Sequence, residues 1–193
     1  MRQPPRHLTD QEENALIAAV TTYGTLRDRA VLILALHTGL HAEELCTLQR
    51  SNVTLGKRSG HLAIYGKRNK YREVPLNGTV RAVLTEYLPT LPSDATWLFV
   101  SNKQETRPDG SKQPAPLTER GLGYLVAKYA RLAKIENLSP HDLRHRFGYR
   151  MAQTVPLHRL AQIMGHDSLD TTTIYVQGTK QALQQAVEAI AWM

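Results

Sequence analysis

Three side chains near residue 140 have the types and the spacing needed to act on a phosphate group. His141, Arg144 and His145 lie three and four positions apart, which places them on one face of a helix. The planar guanidinium of arginine donates two parallel hydrogen bonds to phosphate oxygens, and a histidine one turn away can donate to another oxygen or carry a proton. On these residues alone, a solvated basic helix face explains the pattern as well as a phosphate site does.

A histidine and a tyrosine follow this group. His166 comes directly after Gly165, and Tyr175 lies nine positions further on, behind a polar segment rich in threonine. A phenol can form a covalent intermediate with phosphorus when its neighbours hold the phosphate and accept the proton. Tyrosine usually serves as an amphipathic packing residue, so both interpretations of Tyr175 stay open on the residues alone.

Capping residues and hydrophobic periodicity predict the helices that would position these groups. The Ser-Pro pair at 139–140 predicts a helix over residues 140–153, because serine caps a helix and proline favours its first position. Its apolar face would carry Leu143, Phe147 and Met151. Helices are also predicted over residues 156–165 and 169–176, and an amphipathic one from Thr179 onward.

The chain before residue 139 adds further helices. Thr9-Asp-Gln-Glu12 is a capping box and predicts a helix that ends at Gly24. A buried helix is expected over residues 27–37, where most side chains are apolar, and a short helix over 41–48. The remaining helices are predicted over residues 77–88, capped by Asn77, and 118–134, which begins at Thr118.

A small sheet interrupts these helices. Apolar residues in 62–65 and 71–76 predict two antiparallel strands around the polar turn 66–70. Residues 97–100 form a short apolar run, interpreted as a strand end or a core anchor. Residues 101–116 are polar and rich in Lys, Gln, Pro and Gly, which predicts an exposed loop. The fold class is therefore mainly α with a small antiparallel β-sheet.

Composition limits the broad class of the protein. A chain of 193 residues, 41% of them hydrophobic, with a mean hydropathy of −0.38, fits one domain with a sizeable core. We find no apolar run long enough to span a bilayer and no signal-like start, and a single cysteine, Cys46, fits a reducing cytoplasm. A net charge of +7 and a pI near 9.7 favour a polyanionic partner without proving one.

Four ordered motifs give the chain a resemblance to the tyrosine recombinase family, the phage integrase type. They cover most of the sequence from Thr9 onward, and together they are far more specific than any one of them alone. They read Thr38-Gly39-Leu40 with Glu44-Leu45; Gly66-Lys67-Arg68-Asn69-Lys70 with Arg72 and Val74-Pro75-Leu76; His141-Asp-Leu-Arg144-His145; and Met164-Gly165-His166 with Thr171-Thr-Thr-Ile-Tyr175.

The resemblance implies a catalytic-domain fold and a reaction. Tyr175 would attack the scissile phosphate of double-stranded DNA and form a 3′-phosphotyrosyl link, while Lys67 protonates the leaving 5′-oxygen. Arg144, His141 and His166 would stabilise the charge that develops on the phosphoryl oxygens. A 5′-hydroxyl would then reverse the step and rejoin the DNA, so neither a metal nor another cofactor is expected.

The resemblance also implies supporting residues, partners and boundaries. Glu44 would support neighbouring side chains, and self-association into a tetrameric synapse on a recombination site is expected. We assign residues 1–8 to a tail, 9–178 to the catalytic domain, and 179–193 to a C-terminal helix that packs in cis or on a neighbouring protomer. With few residues before Thr9, the chain is expected to be a catalytic domain alone. Contacts to DNA would come from Arg68, Lys70, Arg72, His145 and Arg146.

One position departs from the family pattern. The first motif reads Thr-Gly-Leu-His, so His41 stands where the family has an arginine. Histidine is shorter and mostly neutral at pH 7, and loss of a phosphate clamp costs roughly 3 kcal/mol or more of transition-state stabilisation. Weak or absent strand cleavage is therefore predicted for this chain.

Two other functions remain open at this point. A catalytically silent DNA-binding relative would keep DNA binding after Tyr175→Phe and never form an adduct. A metal-dependent hydrolase is the remote alternative, because His37 and His41 are four positions apart, as are His141 and His145, and that spacing can chelate zinc. Neither pair is accompanied by clustered carboxylate or cysteine ligands, and the surroundings are basic.

Overall fold

Helices form most of the described chain, and two small antiparallel sheets accompany them. The computed structural model describes residues 6, 8–66, 70–166, 169–175 and 187–188. The helices are α1 (Asp10–Tyr23), α2 (Leu26–Thr38), α3 (Ala42–Cys46), α4 (Gly78–Tyr87), α5 (Glu119–Leu132), α6 (Pro140–Ala152), α7 (Leu157–Met164) and α8 (Asp170–Thr173). The strands are β1 (Val53–Leu55), β2 (Gly60–Tyr65), β3 (Tyr71–Pro75), β4 (Val100–Thr106) and β5 (Lys112–Pro116). The predicted α+β class is confirmed.

Some predicted features lie outside the described residues. They include Lys67 and Arg68 of the hairpin turn. They also include the C-terminal helix predicted from Thr179, apart from Val187 and Glu188, which are helical.

Side-chain caps fix where α1, α2, α4, α5 and α6 begin. In each case a side-chain oxygen accepts a hydrogen bond from the backbone N–H three residues further on, which satisfies a donor that the helix itself cannot. At the start of α6 the Asp142 carboxylate also accepts from the Ser139 backbone N–H at 2.8 Å, so the predicted start is confirmed. The capping residues are Thr9, Thr25, Asn77, Thr118 and Ser139.

The predicted hairpin is confirmed, and a third strand joins it. β2 pairs antiparallel with β3, with Leu62 opposite Val74 and Ile64 opposite Arg72. β1, which the sequence did not predict, pairs with the other edge of β2 and places Val53 opposite Leu62. Three residues with little alternation are too short a pattern for sequence reasoning to separate from a loop.

The prediction of an exposed loop over residues 101–116 is wrong, because β4 and β5 pair there as an antiparallel hairpin. Polar side chains in the hairpin form hydrogen bonds with one another and with the indole of Trp97. Gln113 Nε2 donates to the Glu105 carboxylate at 2.7 Å, and Trp97 Nε1 donates to the same oxygen at 2.6 Å. The prolines that favoured a loop are tolerated in β5, since a strand of a two-stranded sheet has an unpaired edge.

The core is built around α2. Every residue from 30 to 36 is buried, and α2 packs against α1, α3, α4 and α6. A smaller apolar cluster of Phe147, Leu160, Met164 and Tyr175 lies between α6, α7 and the residues after α8. None of the helices among the described residues has the length and apolar character needed to cross a membrane.

Helix α6 is buried on more sides than its sequence predicts, because α2, α5 and α7 all pack against it. His141 is exposed, but Arg144 and His145 are only 4% and 5% exposed. Arg146 is 8% exposed; its Nε donates to the Glu13 carboxylate at 2.6 Å, and its Nη2 pairs with Asp10. Its guanidinium is directed to α1, so the predicted contact of Arg146 with DNA is revised to a structural ion pair.

The Glu13→Gln variant tests the energetic weight of this pair. Glu13 is 5% exposed, and its carboxylate also accepts from Arg150 at 2.6 Å. Removing its charge leaves a buried guanidinium without its main partner, so we expect urea denaturation to show a loss of about 3 kcal/mol in the free energy of unfolding. In the control Glu86→Gln, which breaks the exposed pair with Arg29, the loss should stay below about 1 kcal/mol. Equal losses would contradict this account.

Candidate active site

Arg144 is held by two backbone carbonyls at the ends of different helices. Its Nη1 donates to the carbonyl of Gly39, which follows α2, and its Nη2 donates to the carbonyl of Met164, the last residue of α7, at 3.0 Å. Burial lowers the pKa of Arg144 to about 10, so the side chain remains charged at pH 7. The result is a fixed positive charge in the wall of a wide cleft.

Two glycines make this arrangement possible. Gly39 and Gly165 end α2 and α7 with φ of 63° and 71°, the left-handed conformation that glycine adopts without strain. Space is short at both positions as well. A Cβ on Gly39 would lie 2.4 Å from the Phe147 ring, and a Cβ on Gly165 would lie 2.7 Å from the Arg72 guanidinium.

Glu44 and Arg72 form a second fixed pair in the cleft. Arg72 donates from both terminal nitrogens to the Glu44 carboxylate, at 2.7 and 2.8 Å, and from Nε to the Ile163 carbonyl at 3.1 Å. Burial acts to raise the pKa of Glu44, but the hydrogen bonds and charge of Arg72 outweigh it, so this pKa lies below its usual range. The geometry fits the supporting role predicted for Glu44. Arg72, for which a DNA contact is predicted, has three N–H groups bonded within the protein and also lines the cleft.

His41 stands at the entrance to α3 and lines the same cleft. Its backbone N–H donates to the Glu44 carboxylate at 2.8 Å. Partial burial of the ring, followed by the positive charge of Arg144, lowers the pKa of His41 below its ordinary value. The lowered pKa favours the neutral ring, in the position where the resemblance expects a guanidinium.

His166 is neutral and is oriented by a buried threonine. Its Nδ1 lies 2.7 Å from the hydroxyl of Thr172, which has no exposed surface. Burial and the charge of Arg144 lower the pKa of His166 to about 4, so at pH 7 only one ring nitrogen carries a proton. A Thr172 hydroxyl that donates to Nδ1 leaves that proton on Nε2, where it can be donated to a phosphoryl oxygen.

Tyr175 is buried beside these groups, with 6% of its surface exposed. Its hydroxyl lies 3.0 Å from Nδ1 of His145, and its ring is edge-on to Tyr149 at 5.2 Å and nearly parallel to His166 at 6.4 Å between centroids. The ring occupies a slot above Gly148, where a Cβ would lie 2.5 Å from the phenol carbon Cζ. Burial raises the pKa of Tyr175 to about 12, although the charge of Arg144 opposes the rise.

Most of the predicted site residues among the described ones converge on one cleft. His41, His141, Arg144 and His166 line it together with Lys70, and Tyr175 lies next to it behind His145 and His166. The ring of His141 contacts the ring of His145 at 4.1 Å between centroids. The predicted DNA contact of His145 is revised, because its ring is buried and bonded to the phenol.

Sequence reasoning missed an exposed basic stripe on α5. Arg120, Tyr124 and Arg131 are exposed on α5 at helical spacing, and Lys134 continues the stripe beyond its end. The Arg120 guanidinium lies over the Tyr124 ring, 5.4 Å from its centroid. Only the N-terminal end of the stripe borders the site, since Gly123 of α5 lines the cleft whereas Arg131 and Lys134 do not. The helical spacing of these residues is visible in the sequence, but only the fold shows that one end of the stripe lies near the residues of the cleft.

The histidine pairs behind the metal hypothesis do not form a ligand set. His37 Nδ1 lies 3.0 Å from the Asn77 side-chain amide, while His145 Nδ1 is paired with Tyr175. Within the part of the chain that the structure describes, no group of three or more His, Cys, Asp or Glu residues is placed to hold a metal ion.

The fold and the ordered residues of the cleft are those of the phage integrase family, and the chain belongs to this family. The match covers residues 6–182. Two curated relatives are tyrosine recombinase XerA of Pyrococcus furiosus, 31% identical over 186 residues, and tyrosine recombinase XerD of Xanthomonas axonopodis pv. citri, 36% identical over 197 residues. Each comparison covers 95% of this chain but only 61% and 62% of the relative, so the chain spans about three fifths of their length.

Solved structures agree with this placement. XerH recombinase bound to its difH substrate in a pre-cleavage complex superposes with a TM-score of 0.77 and 26% identity, covering 100% of this chain and 56% of that chain. The catalytic domain of bacteriophage HP1 integrase has a TM-score of 0.64 and 19% identity, covering 94% of this chain and 93% of that domain. The second likeness shows the fold alone, and together they confirm the predicted catalytic-domain fold.

The Thr172→Val variant tests the orientation of His166. Valine keeps the shape of threonine but removes the hydroxyl, so we expect His166 to change from one dominant tautomer, with the proton on Nε2, to a mixture of both. Nitrogen-15 NMR of the imidazole measures the two populations. Thr172→Ser is the matched control and should restore the single tautomer; an unchanged His166 spectrum in Thr172→Val would refute this role.

Proposed function

We propose that this chain is the catalytic part of a site-specific DNA recombinase that cuts and rejoins strands through Tyr175. The observation that carries the proposal is the placement of the Tyr175 phenol beside a cleft lined by Arg144, His166 and His141. A nucleophile, a fixed cation and further hydrogen-bond donors are the parts that phosphoryl transfer without a metal requires. The catalytic unit is assigned to residues 9–178.

The proposed reaction begins with attack by Tyr175 Oη on phosphorus, and the bond from phosphorus to the 5′-oxygen breaks. Arg144 and the N–H groups of His141 and His166 stabilise the negative charge on the non-bridging oxygens. The DNA is then linked to the protein through a 3′-phosphotyrosine, and the freed 5′-hydroxyl leaves. Because the link conserves the energy of the phosphodiester, a second 5′-hydroxyl can reverse the step and rejoin the DNA.

Lys67 is proposed as the general acid that protonates the leaving 5′-oxygen. Support comes from the residues that flank it in sequence. Gly66 N–H donates to the Lys70 carbonyl at 2.8 Å, and both residues line the cleft. The support is therefore positional, because Lys67 lies in the short stretch of sequence that connects these two residues of the cleft lining. Lys70 itself, which is exposed, is proposed as a contact to the DNA backbone.

DNA is the proposed substrate, and the α5 stripe extends the surface that would bind it. The XerH site-specific recombinase was solved bound to its difH substrate, and the exposed cations of α5 lie along a helix whose N-terminal end borders the cleft. Self-association into a tetrameric synapse on DNA, with the C-terminal helix of residues 179–193 packing in cis or on a neighbouring protomer, remains part of the proposal. So does activity in the cytoplasm.

A catalytically silent DNA-binding protein is the second candidate, and His41 favours it. A neutral imidazole at this position lacks the two-pronged, permanent charge of a guanidinium. The same cleft could then bind the DNA backbone without supporting cleavage.

The His41→Arg variant separates the two candidates. We expect it to form a covalent adduct with a nicked suicide duplex at least about 100-fold faster than the parent chain, because a preorganised donor to the oxyanion contributes about that factor or more. Denaturing gel electrophoresis measures the adduct. His41→Arg combined with Tyr175→Phe is the control and should give none. Equal rates for the parent and His41→Arg would refute the predicted impairment, and no adduct from either would favour the silent protein.

Arg131→Ala tests the DNA contact of the α5 stripe. Each lost phosphate contact should weaken binding to any duplex sequence and reduce the slope of log binding constant against log salt by about 1. Fluorescence anisotropy over a salt series measures both effects. Lys112→Ala, at an exposed cation on β5 rather than on α5, is the matched control and should leave the slope unchanged. An unchanged slope for Arg131→Ala would remove this residue from the interface.

A further inference from the structure

The hydrogen-bond partner of the Tyr175 phenol is His145, a residue for which the family resemblance implies a contact with DNA. The phenol oxygen and His145 Nδ1 are 3.0 Å apart, and the two ring centroids are 5.6 Å apart. Both side chains are buried, at 6% and 5% exposure. The low dielectric of such a buried place strengthens a hydrogen bond between the two groups.

The direction of this hydrogen bond depends on the tautomer of His145. A phenol with a pKa of about 12 is neutral at pH 7, so it keeps a proton to donate. When the imidazole proton is on Nε2, Nδ1 accepts from the Tyr175 O–H, and this is the tautomer that a proton acceptor for the phenol requires.

A proton acceptor is needed at this position. With a pKa of about 12, roughly one Tyr175 phenol in 10⁵ is ionised at pH 7, so attack on phosphorus is slow unless a neighbouring base takes the proton as the new bond forms. The imidazole of His145 is in contact with the O–H that must be broken.

His141, the first histidine of the motif, is in a different position. It is exposed and lines the cleft, where a phosphate would lie, while its ring packs against the ring of His145. The charged and titratable neighbours of the pair are Arg144 on α6, His166 beyond α7, and Tyr149 against the phenol ring. The two histidines of the motif thus have different tasks.

We propose that His145 is a catalytic residue, the general base that takes the proton of Tyr175 during attack. This inference rests on the proposed function. As the bond from Oη to phosphorus forms, the O–H bond breaks and its proton moves to Nδ1 of His145. The bond from phosphorus to the 5′-oxygen breaks, and that oxygen takes a proton from the general acid proposed at Lys67. In rejoining, the attacking 5′-hydroxyl gives its proton to Lys67 and His145 returns its proton to the departing phenol, so the cycle is balanced.

His145→Gln tests the role kinetically in the His41→Arg background. Glutamine can accept a hydrogen bond but cannot take up the proton, so adduct formation on a nicked suicide duplex at pH 7 should slow about 100-fold or more. The deficit should shrink as the pH approaches 10, because more of the phenol is then ionised without a base. It should persist on a substrate with sulfur in place of the leaving 5′-oxygen, since a thiolate leaves without an acid. Thermal melting and DNA affinity check that folding and binding are kept.

Three outcomes of this experiment would overturn the proposal. They are a rate equal to that of the His41→Arg parent, a deficit of the same size at pH 7 and pH 10, and full recovery on the sulfur substrate, which would make His145 the acid. His158→Gln, at an exposed histidine of α7, is the matched control and should keep the parent rate.

A measurement without DNA separates this proposal from the proposed function. Nitrogen-15 NMR of the free protein should show His145 with its proton on Nε2 and an Nδ1 signal that shifts in Tyr175→Phe. A proton on Nδ1, or a signal unmoved by Tyr175→Phe, contradicts the assignment even in a protein that cleaves. Failure of the His41→Arg protein to form any adduct contradicts the proposed function, and His145 then has no catalytic role whatever its tautomer.

Discussion

The bonds from Arg144 to the carbonyls of Gly39 and Met164 are the interaction on which the site depends. The last carbonyls of a helix lack partners within it and carry the negative end of the helix dipole. One guanidinium satisfies two such carbonyls from two helices, and this fixes the ends of α2 and α7 at a set distance. The cost of burying the charge is offset by these bonds, so the cation is already oriented before any phosphate arrives.

A second set of polar contacts connects Arg144 and its helix ends to the rest of the cleft. Glu44 joins the first turn of α3 to Arg72 on β3, and Arg72 reaches the Ile163 carbonyl near the end of α7. The Glu44–Arg72 ion pair therefore connects α3, the three-stranded sheet and α7. Because Glu44 neutralises Arg72, the pair organises the site without adding net charge to it. A neutral His41 adds none either, so the positive charge that the family's arginine would supply at this position is missing.

Local signals predicted the helices and the main hairpin, because caps such as Thr9 and Ser139 and the period of apolar residues act over a few positions. They did not predict β1 or the β4–β5 hairpin, where pairing partners decide the structure. The motifs predicted which residues gather around the cleft. They could not tell that Arg146 is directed to α1 and His145 to Tyr175, because helical spacing gives a face but not what packs against it.

Gly148 shows how the site limits the stability that this chain can reach. Alanine inside a helix is favoured over glycine by about 1 kcal/mol, so position 148 of α6 is an obvious site for strengthening the fold. The methyl group of an alanine at position 148 would occupy the space of the Tyr175 ring. A screen that selects only for thermal stability would therefore tend to retain variants in which the phenol has been displaced. The weakest helical residue of α6 is thus the one that makes room for the nucleophile.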